Sequence, residues 1–262
     1  QPESQLANIT TAALSITGAA AQNKIYDSTT TATLSNNGSL NGLIGGETLI
    51  LNAPASINLS DKNAATGKTV TASGYAISDS SGQASNYQLA SNSATATADI
   101  TAALLTVTAQ TNTKTYDANT SAAAIPTITS GTLFGTDDTA NFSEIYDTQN
   151  AGIGKILTAS GIVNDGNSGN YYVYTFIPYT TGVINPAPLT VTANAASKTY
   201  DGFAYSGGNG VGYSGFVNGE TSDVLTGTVA YNGTSGTSQG ATNAGGYVIS
   251  PTGLASANYT IS

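Results

Sequence analysis

The sequence predicts an all-β chain of three tandem β-sandwich repeats, and three observations carry that expectation. The vocabulary is β-branched, aromatic and turn-forming, the apolar runs alternate with a period of two, and one motif returns three times. The apolar residues are Ala, Val, Ile, Leu and Tyr, diluted by Thr, Ser, Asn and 30 Gly. Such a mixture suits strands and turns. Fifteen Tyr and five Phe argue against a disordered low-complexity segment. Leu189-Thr-Val-Thr and Ser93 to Ile100 place one face in a core and one in water. No window sustains a 3.6-residue period, and Ala19–Ala21 and Ser121–Ala124 are too short for helices of their own.

The repeat sets the organisation. Leu14-Ser-Ile-Thr followed by Lys24-Ile-Tyr26-Asp27 returns as Leu105-Thr-Val-Thr with Lys114-Thr-Tyr116-Asp117, and again as Leu189-Thr-Val-Thr with Lys198-Thr-Tyr200-Asp201. Tyr26 and Tyr116 lie 90 positions apart and Tyr116 and Tyr200 lie 84 apart, so the unit is the size of a domain. Further landmarks keep the same order in each copy. Gly42-Leu-Ile-Gly-Gly-Glu47 matches Gly215-Phe-Val-Asn-Gly-Glu220 and, more loosely, Thr132 to Asp137; Asn63 to Lys68 matches Asn150 to Lys155, with Asn243-Ala-Gly as a shortened third version. Asn86-Tyr87, Asn170-Tyr171 and Asn258-Tyr259 close the set. The boundaries are a tail strand at 1–12, repeat 1 at 13–101, repeat 2 at 102–186 and repeat 3 at 187–262.

On these residues the chain resembles the YDG and MBG ("mostly bacterial Ig-like") repeats of large haemagglutinin-type adhesins on Gram-negative bacteria. Copies one and two are similar to the YDG type, through Lys24 to Thr33 and Asp61 to Lys68, and copy three to the MBG type, through Leu189 to Tyr200, Gly215 to Glu220 and Leu254 to Ile261. Where the family has Asp-Gly, the first two copies have Asp27-Ser28 and Asp117-Ala118, so those turns need a non-Gly geometry. The resemblance implies an extracellular array of Ig-like β-sandwich domains, and the very short linkers between the three repeats predict an elongated rod. It also implies a stalk or fibre segment of a secreted, cell-surface adhesin that supports attachment or biofilm, with other copies or neighbouring repeats as partners. It supplies neither ligand nor catalytic residue.

Composition removes most chemistry. Only 8% of residues are charged, against about 25% in an average domain, and there is no His, Cys, Met or Trp. Imidazole bases, thiolate nucleophiles, the usual zinc ligands and disulfides are all excluded. A net charge of −9 opposes nucleic-acid partners, and no apolar run reaches membrane-spanning length. No catalytic residue is assigned and an enzyme is not expected: Asp137-Asp138 is a paired carboxylate, but adjacent strand residues point to opposite faces.

The remaining candidates are binding or structural. Lys24, Lys114 and Lys198 share a strand face with Tyr26, Tyr116 and Tyr200. They either pair with Asp27, Asp117 and Asp201 or form isopeptide bonds with Asn86, Asn170 or Asn258, and the ion pair is the preferred reading. Asp137, Asp138 and Asp165, with Glu47, Glu220 and Asp223, lie in turns whose oxygen content would suit calcium, though Asp, Asn and Gly are also what turns are made of. No other cofactor is expected. Tyr26 and Tyr87 recur and are expected in the core, whereas Tyr172, Tyr174, Tyr205 and Tyr213 are copy-specific surface candidates. They would serve the alternative function, a carbohydrate-binding module for surface glycans. Copies one and two run past Asn-Tyr into a last strand, Ala94 to Ile100 and Tyr179 to Ile184, whereas copy three has no such residues in this sequence. Residues 4–11 resemble that strand. The chain is therefore either a fragment of a longer array or a subunit whose tail completes the third repeat of another copy by donor-strand exchange.

Overall fold

The computed structural model describes residues 4–232 and 238–262. Residues 1–3 of the expected tail strand and 233–237 of the third repeat lie outside them. The fold is all-β: among the described residues the helical content is two 3-10 turns, Ala84–Asn86 and Ser222–Val224. Ala20–Ala21, one of the helix-friendly stretches, is a strand.

Repeat 1 holds a three-stranded sheet in the order Tyr87–Leu89, Ala12–Thr17, Ser39–Asn41, and a four-stranded sheet in the order Lys24–Ile25, Ser93–Thr101, Ala65–Ser73, Ser56–Leu59. Repeat 2 repeats the scheme with Thr127–Ser130, Ala103–Thr108 and Tyr172–Ile177 in one sheet. Its four-stranded sheet takes Thr113–Thr115, Tyr179–Asn185, Gly152–Asn164 and Thr139–Tyr146. Repeat 3 keeps the first sheet, as Val211–Ser214, Ala187–Ala193 and Tyr259–Ile261. Its Lys198 segment differs: residues 194–200 form no strand.

The period of two reads directly as burial. Ala103, Leu105 and Val107 are buried along one strand, and Ala187, Leu189 and Val191 along its counterpart, with more exposed residues between them. Beside each first strand passes a glycine at a fixed place. Gly42, Gly131 and Gly215 have φ of +108°, +91° and +119°, and a Cβ would lie 2.9, 2.3 and 2.5 Å from the carbonyl oxygens of Ala13, Leu104 and Pro188. Glycine is required there on both counts.

By its packing the chain divides into two compact units. Unit 1 contains the residues through Thr106, Ser130–Asn141 and Ile162–Thr175; unit 2 contains Val107–Thr129, Phe142–Gly161 and Phe176–Ser262. The division runs through repeat 2 rather than between repeats. Each unit thus holds one repeat together with the part of repeat 2 that abuts it.

The core of unit 1 is built on Leu14, Val70, Ala72, Ile100, Leu105 and Val163, that of unit 2 on Val107, Leu157, Ile184 and Leu189. Glu144 is an exception in unit 2. It is 2% exposed, accepts the Gln110 N–H on one oxygen at 2.7 Å, and has no partner on the other. Burial pushes its carboxyl up.

Candidate functional site

The Lys-x-Tyr-Asp motif is a strand followed by a tight turn. Lys24 pairs in parallel with Ile100 of the last strand, and Lys114 with Ile184. The chain then turns at Asp27, Asp117 and Asp201, whose carboxylates accept the N–H two residues on, from Thr29 at 2.9 Å, Asn119 at 3.2 Å and Phe203 at 3.0 Å. Each lysine ammonium meets the Asp of its own turn, at 2.7, 2.7 and 2.8 Å. It also bonds to turn carbonyls, those of Thr31, Asn119 and Phe203. These bonds, with those to the Thr29 hydroxyl, the Asn119 side chain and the Ala204 carbonyl, fill the ammonium donors within the turn. Burial alone would raise the Asp27 and Asp117 carboxyls, but the lysine and backbone donors outweigh it and hold both below the usual range.

The non-Gly geometry expected at the turn is present: Ser28 and Ala118 have φ of +64° and +59°, where copy three has Gly202 at +80°. An L side chain in this region costs about 1–2 kcal/mol. Ala118→Gly should therefore raise stability by about 0.5–1 kcal/mol, the relief of strain less the entropy a glycine adds to the unfolded chain, read as a higher urea midpoint.

A second constellation recurs in all three copies. The Tyr87 hydroxyl accepts the Ile44 N–H at 3.2 Å and donates to Glu47 at 2.7 Å. In repeat 2 the Tyr172 hydroxyl accepts from Phe134 at 2.8 Å and donates to Asp138 at 2.5 Å. In repeat 3 the Tyr259 hydroxyl accepts from Val217 at 3.1 Å and donates to Glu220. Each acid is thus held by a tyrosine across the start of the repeat, forming a Tyr-acid clasp.

The clasps receive the motif tyrosines. Tyr26, from repeat 1, stacks on Tyr171 of repeat 2 with centroids 4.4 Å apart, and meets Tyr172 and Phe134 edge-on at 5.7 and 6.3 Å. Tyr116, from repeat 2, meets Tyr259 of repeat 3 edge-on at 5.5 Å and donates to the second oxygen of Glu220 at 2.7 Å. Asn63 accepts the Tyr171 hydroxyl in the first junction, and Asn150 accepts the Asn258 amide at 3.3 Å in the second. The Asn258 side-chain oxygen Oδ1 in turn accepts the Ala151 N–H at 2.9 Å. Tyr26 and Tyr116 are 1% and 2% exposed. Burial, and then the Asp138 charge, lifts the Tyr26 phenol to about 12. Burial, and then the bond to Glu220, lifts Tyr116 to about 12. Tyr200 is 70% exposed. It lies on a groove of about 280 Å³ lined by Lys198, Phe203, Tyr205, Ser238 and Tyr247.

The model of the YDG domain matches residues 10–96 and again 101–181. The chain belongs to the YDG-domain family. Residues 189–262 match the model of the MBG domain (YGX type), so the chain carries YDG, YDG and MBG repeats in the order the motifs led us to expect. No curated protein and no solved structure matches the chain.

In this YDG chain several expected site residues take other roles. Tyr172 is a buried clasp residue rather than a surface tyrosine, because it, and not Tyr171, stands where Tyr87 and Tyr259 stand: Ala103 N–H bonds the Tyr171 carbonyl as Ala187 N–H bonds that of Asn258. Tyr174 is half-buried, its hydroxyl accepting from Val163 at 2.9 Å and donating to Gly169 at 3.2 Å. In unit 2, Tyr205 bonds Ala241 through its backbone and Tyr213 packs on Phe216 at 5.4 Å. Asp138 is committed to its clasp. Asp165 accepts three backbone N–H groups, from Asn167, Gly169 and Tyr171, at 2.7 to 3.0 Å. Asp137 is exposed on the turn. Among the described residues no three carboxylates converge on a common point. What sequence reasoning missed is the clasp itself, though Glu47 and Tyr87 are spaced almost as Glu220 and Tyr259 are.

Proposed function

We propose that the chain is a non-enzymatic stalk or fibre segment of a secreted bacterial surface adhesin, with its repeats acting as interlocked spacers. The observation that carries this reading is the spending of the recurrent aromatic and acidic side chains on joining one repeat to the next. Tyr26 and Tyr116 are buried at junctions, and the half-buried Glu220 and Asp138 hold clasp hydroxyls there rather than lining an open cleft. YDG and MBG repeats support a repeat segment of a surface protein, and attachment or biofilm support is the role the proposal gives it.

The tail supports head-to-tail assembly by strand donation. Aligned on Leu14, Leu105 and Leu189, Ile9 takes the place of Ile100 and Ile184. Those two are 3% and 1% exposed beside the Lys24 and Lys114 strands, whereas Ile9 is 99% exposed. Residues 194–200 in repeat 3 form no strand, and they are the acceptor such a tail fits. Deleting residues 4–11 should leave the chain monomeric in sedimentation velocity; undiminished assembly after the deletion counts against strand donation.

The groove around Tyr205 and Tyr247 favours a second reading, a carbohydrate-binding module. A glycan array separates the two. The stalk reading expects no retained glycan, and saturable binding lost with Tyr205→Ala or Tyr247→Ala favours the module.

A further inference from the structure

We propose that Tyr200 is an unfilled plug, and that its socket is the Tyr87–Glu47 clasp at the start of repeat 1 in a second copy of this chain. The inference rests on the head-to-tail reading above and adds to it a side-chain interface that strand donation by itself does not require.

The argument is continuity with two junctions already formed. The tyrosine of the motif in repeats 1 and 2 enters the clasp of the repeat that follows, and the Asn of the Asn63 to Lys68 or Asn150 to Lys155 segment meets the residue just before the clasp tyrosine. The third repeat carries the same two groups, Tyr200 and Asn243, and both are exposed. Repeat 1 carries the complementary set. Its clasp matches that of repeat 3 residue for residue: Glu47, Asn86 and Tyr87 stand for Glu220, Asn258 and Tyr259.

The two clasps differ in occupancy. Glu220 receives Tyr259 on one oxygen and Tyr116 on the other, whereas Glu47 receives Tyr87 on Oε2 and no hydroxyl on Oε1 among the described residues. Asn86 is exposed, and Ile44, the counterpart of Phe134 beside Tyr26, is 62% exposed. Docked as Tyr116 docks, the Tyr200 hydroxyl donates to Glu47 Oε1, its ring meets the edge of Tyr87, and Asn243 accepts the Asn86 amide. Strand donation places the groups compatibly. Tyr26 and Tyr116 each give their N–H to the end of the last strand, at Thr101 and Asn185, and the aligned residue of the tail is Thr10, two residues before Ala12 pairs with Tyr87. Tail and socket thus adjoin in the copy that donates the strand and receives the plug. The contact is heterologous, so each copy offers a plug to one neighbour and a socket to another.

Complementation tests this. Tyr200→Ser removes the plug and keeps the socket; Glu47→Ala removes the socket and keeps the plug. Ile44→Asp, at an exposed position, is a second socket variant that leaves the clasp intact. In sedimentation velocity the wild-type chain should grow in mean mass with concentration, and each variant alone should associate about tenfold or more weakly, the worth of a charge-assisted hydrogen bond. An equimolar mixture of Tyr200→Ser with either socket variant should give 1:1 dimers and nothing larger, which only two folded chains produce. Wild type that stays monomeric, a mixture that stays monomeric while the wild type grows, or single variants that grow like the wild type each overturn the proposal. If deletion of residues 4–11 abolishes growth while Tyr200→Ser does not, strand donation stands and the socket falls.

Discussion

Replacing Tyr26 with alanine should destabilise unit 1 by about 3–5 kcal/mol, the usual cost of deleting a fully packed aromatic side chain. The ring is 1% exposed and is enclosed on three sides by Tyr171, Tyr172 and Phe134, so its removal opens a void against side chains that belong to the next repeat. Tyr26→Phe should behave differently. The Tyr26 hydroxyl is buried without a hydrogen-bond partner, and an unsatisfied buried donor costs free energy that phenylalanine does not incur. The phenylalanine variant should match the wild type or exceed it by about 1 kcal/mol. Tyr200→Ala is the control: at 70% exposure the same residue type in the same motif should move stability by no more than about 0.5 kcal/mol. Urea titrations followed by far-UV circular dichroism read all three. A Tyr26→Phe loss as large as that of Tyr26→Ala would show that the hydroxyl, not the ring, holds the junction.

That contrast between Tyr26 and Tyr200 marks where the sequence stops being informative. The recurrence of Lys-x-Tyr-Asp announces a structural residue, and the period of two in Leu105-Thr-Val-Thr and Leu189-Thr-Val-Thr announces the strands that bury it. Even the strained turn at Ala118 is legible, because an alanine stands where a glycine is expected. What recurrence does not carry is the identity of the neighbour. Tyr26 is a core residue, but part of its core is supplied by residues more than a hundred positions later, and no local pattern links Tyr26 to Tyr171. The doubled Tyr171-Tyr172 adds an ambiguity of one position that pattern matching resolves the wrong way. Strand register resolves it, since the Ala103 N–H reaches the Tyr171 carbonyl and so makes Tyr172 the clasp residue. The acids were legible as turn residues and not as acceptors, because a carboxylate about 40 positions from its tyrosine becomes its partner only once the first strand brings the two together.

Glu220→Ala should cost unit 2 about 2–6 kcal/mol, because one carboxylate serves two buried hydroxyls and each loses its acceptor, at about 1–3 kcal/mol apiece. Tyr259 belongs to the same repeat as Glu220 and Tyr116 to the repeat before, so this carboxylate couples the internal clasp of one repeat to the plug of another. Coupling of that kind is non-additive. Tyr116→Phe on the wild-type background should destabilise, whereas on the Glu220→Ala background, where the Tyr116 hydroxyl is already without its acceptor, it should cost little or recover stability. The alkaline limb provides an independent reading. Tyr116 is raised to about 12 from an unfolded value of 10.0, by burial first and by Glu220 second. A raised phenol means that the folded chain holds the proton more tightly. The stability it contributes is fully present below about pH 10 and is lost as pH rises through about 12. Removing Glu220 should bring the Tyr116 ionisation down towards 10 without abolishing its elevation, because burial remains; phenolate absorbance of the wild type and Glu220→Ala, each compared with its Tyr116→Phe counterpart, isolates that one titration. An unchanged Tyr116 ionisation, together with strictly additive losses in the double variant, would mean that the hydroxyl and Glu220 do not act as a pair and that the second junction rests on ring packing alone.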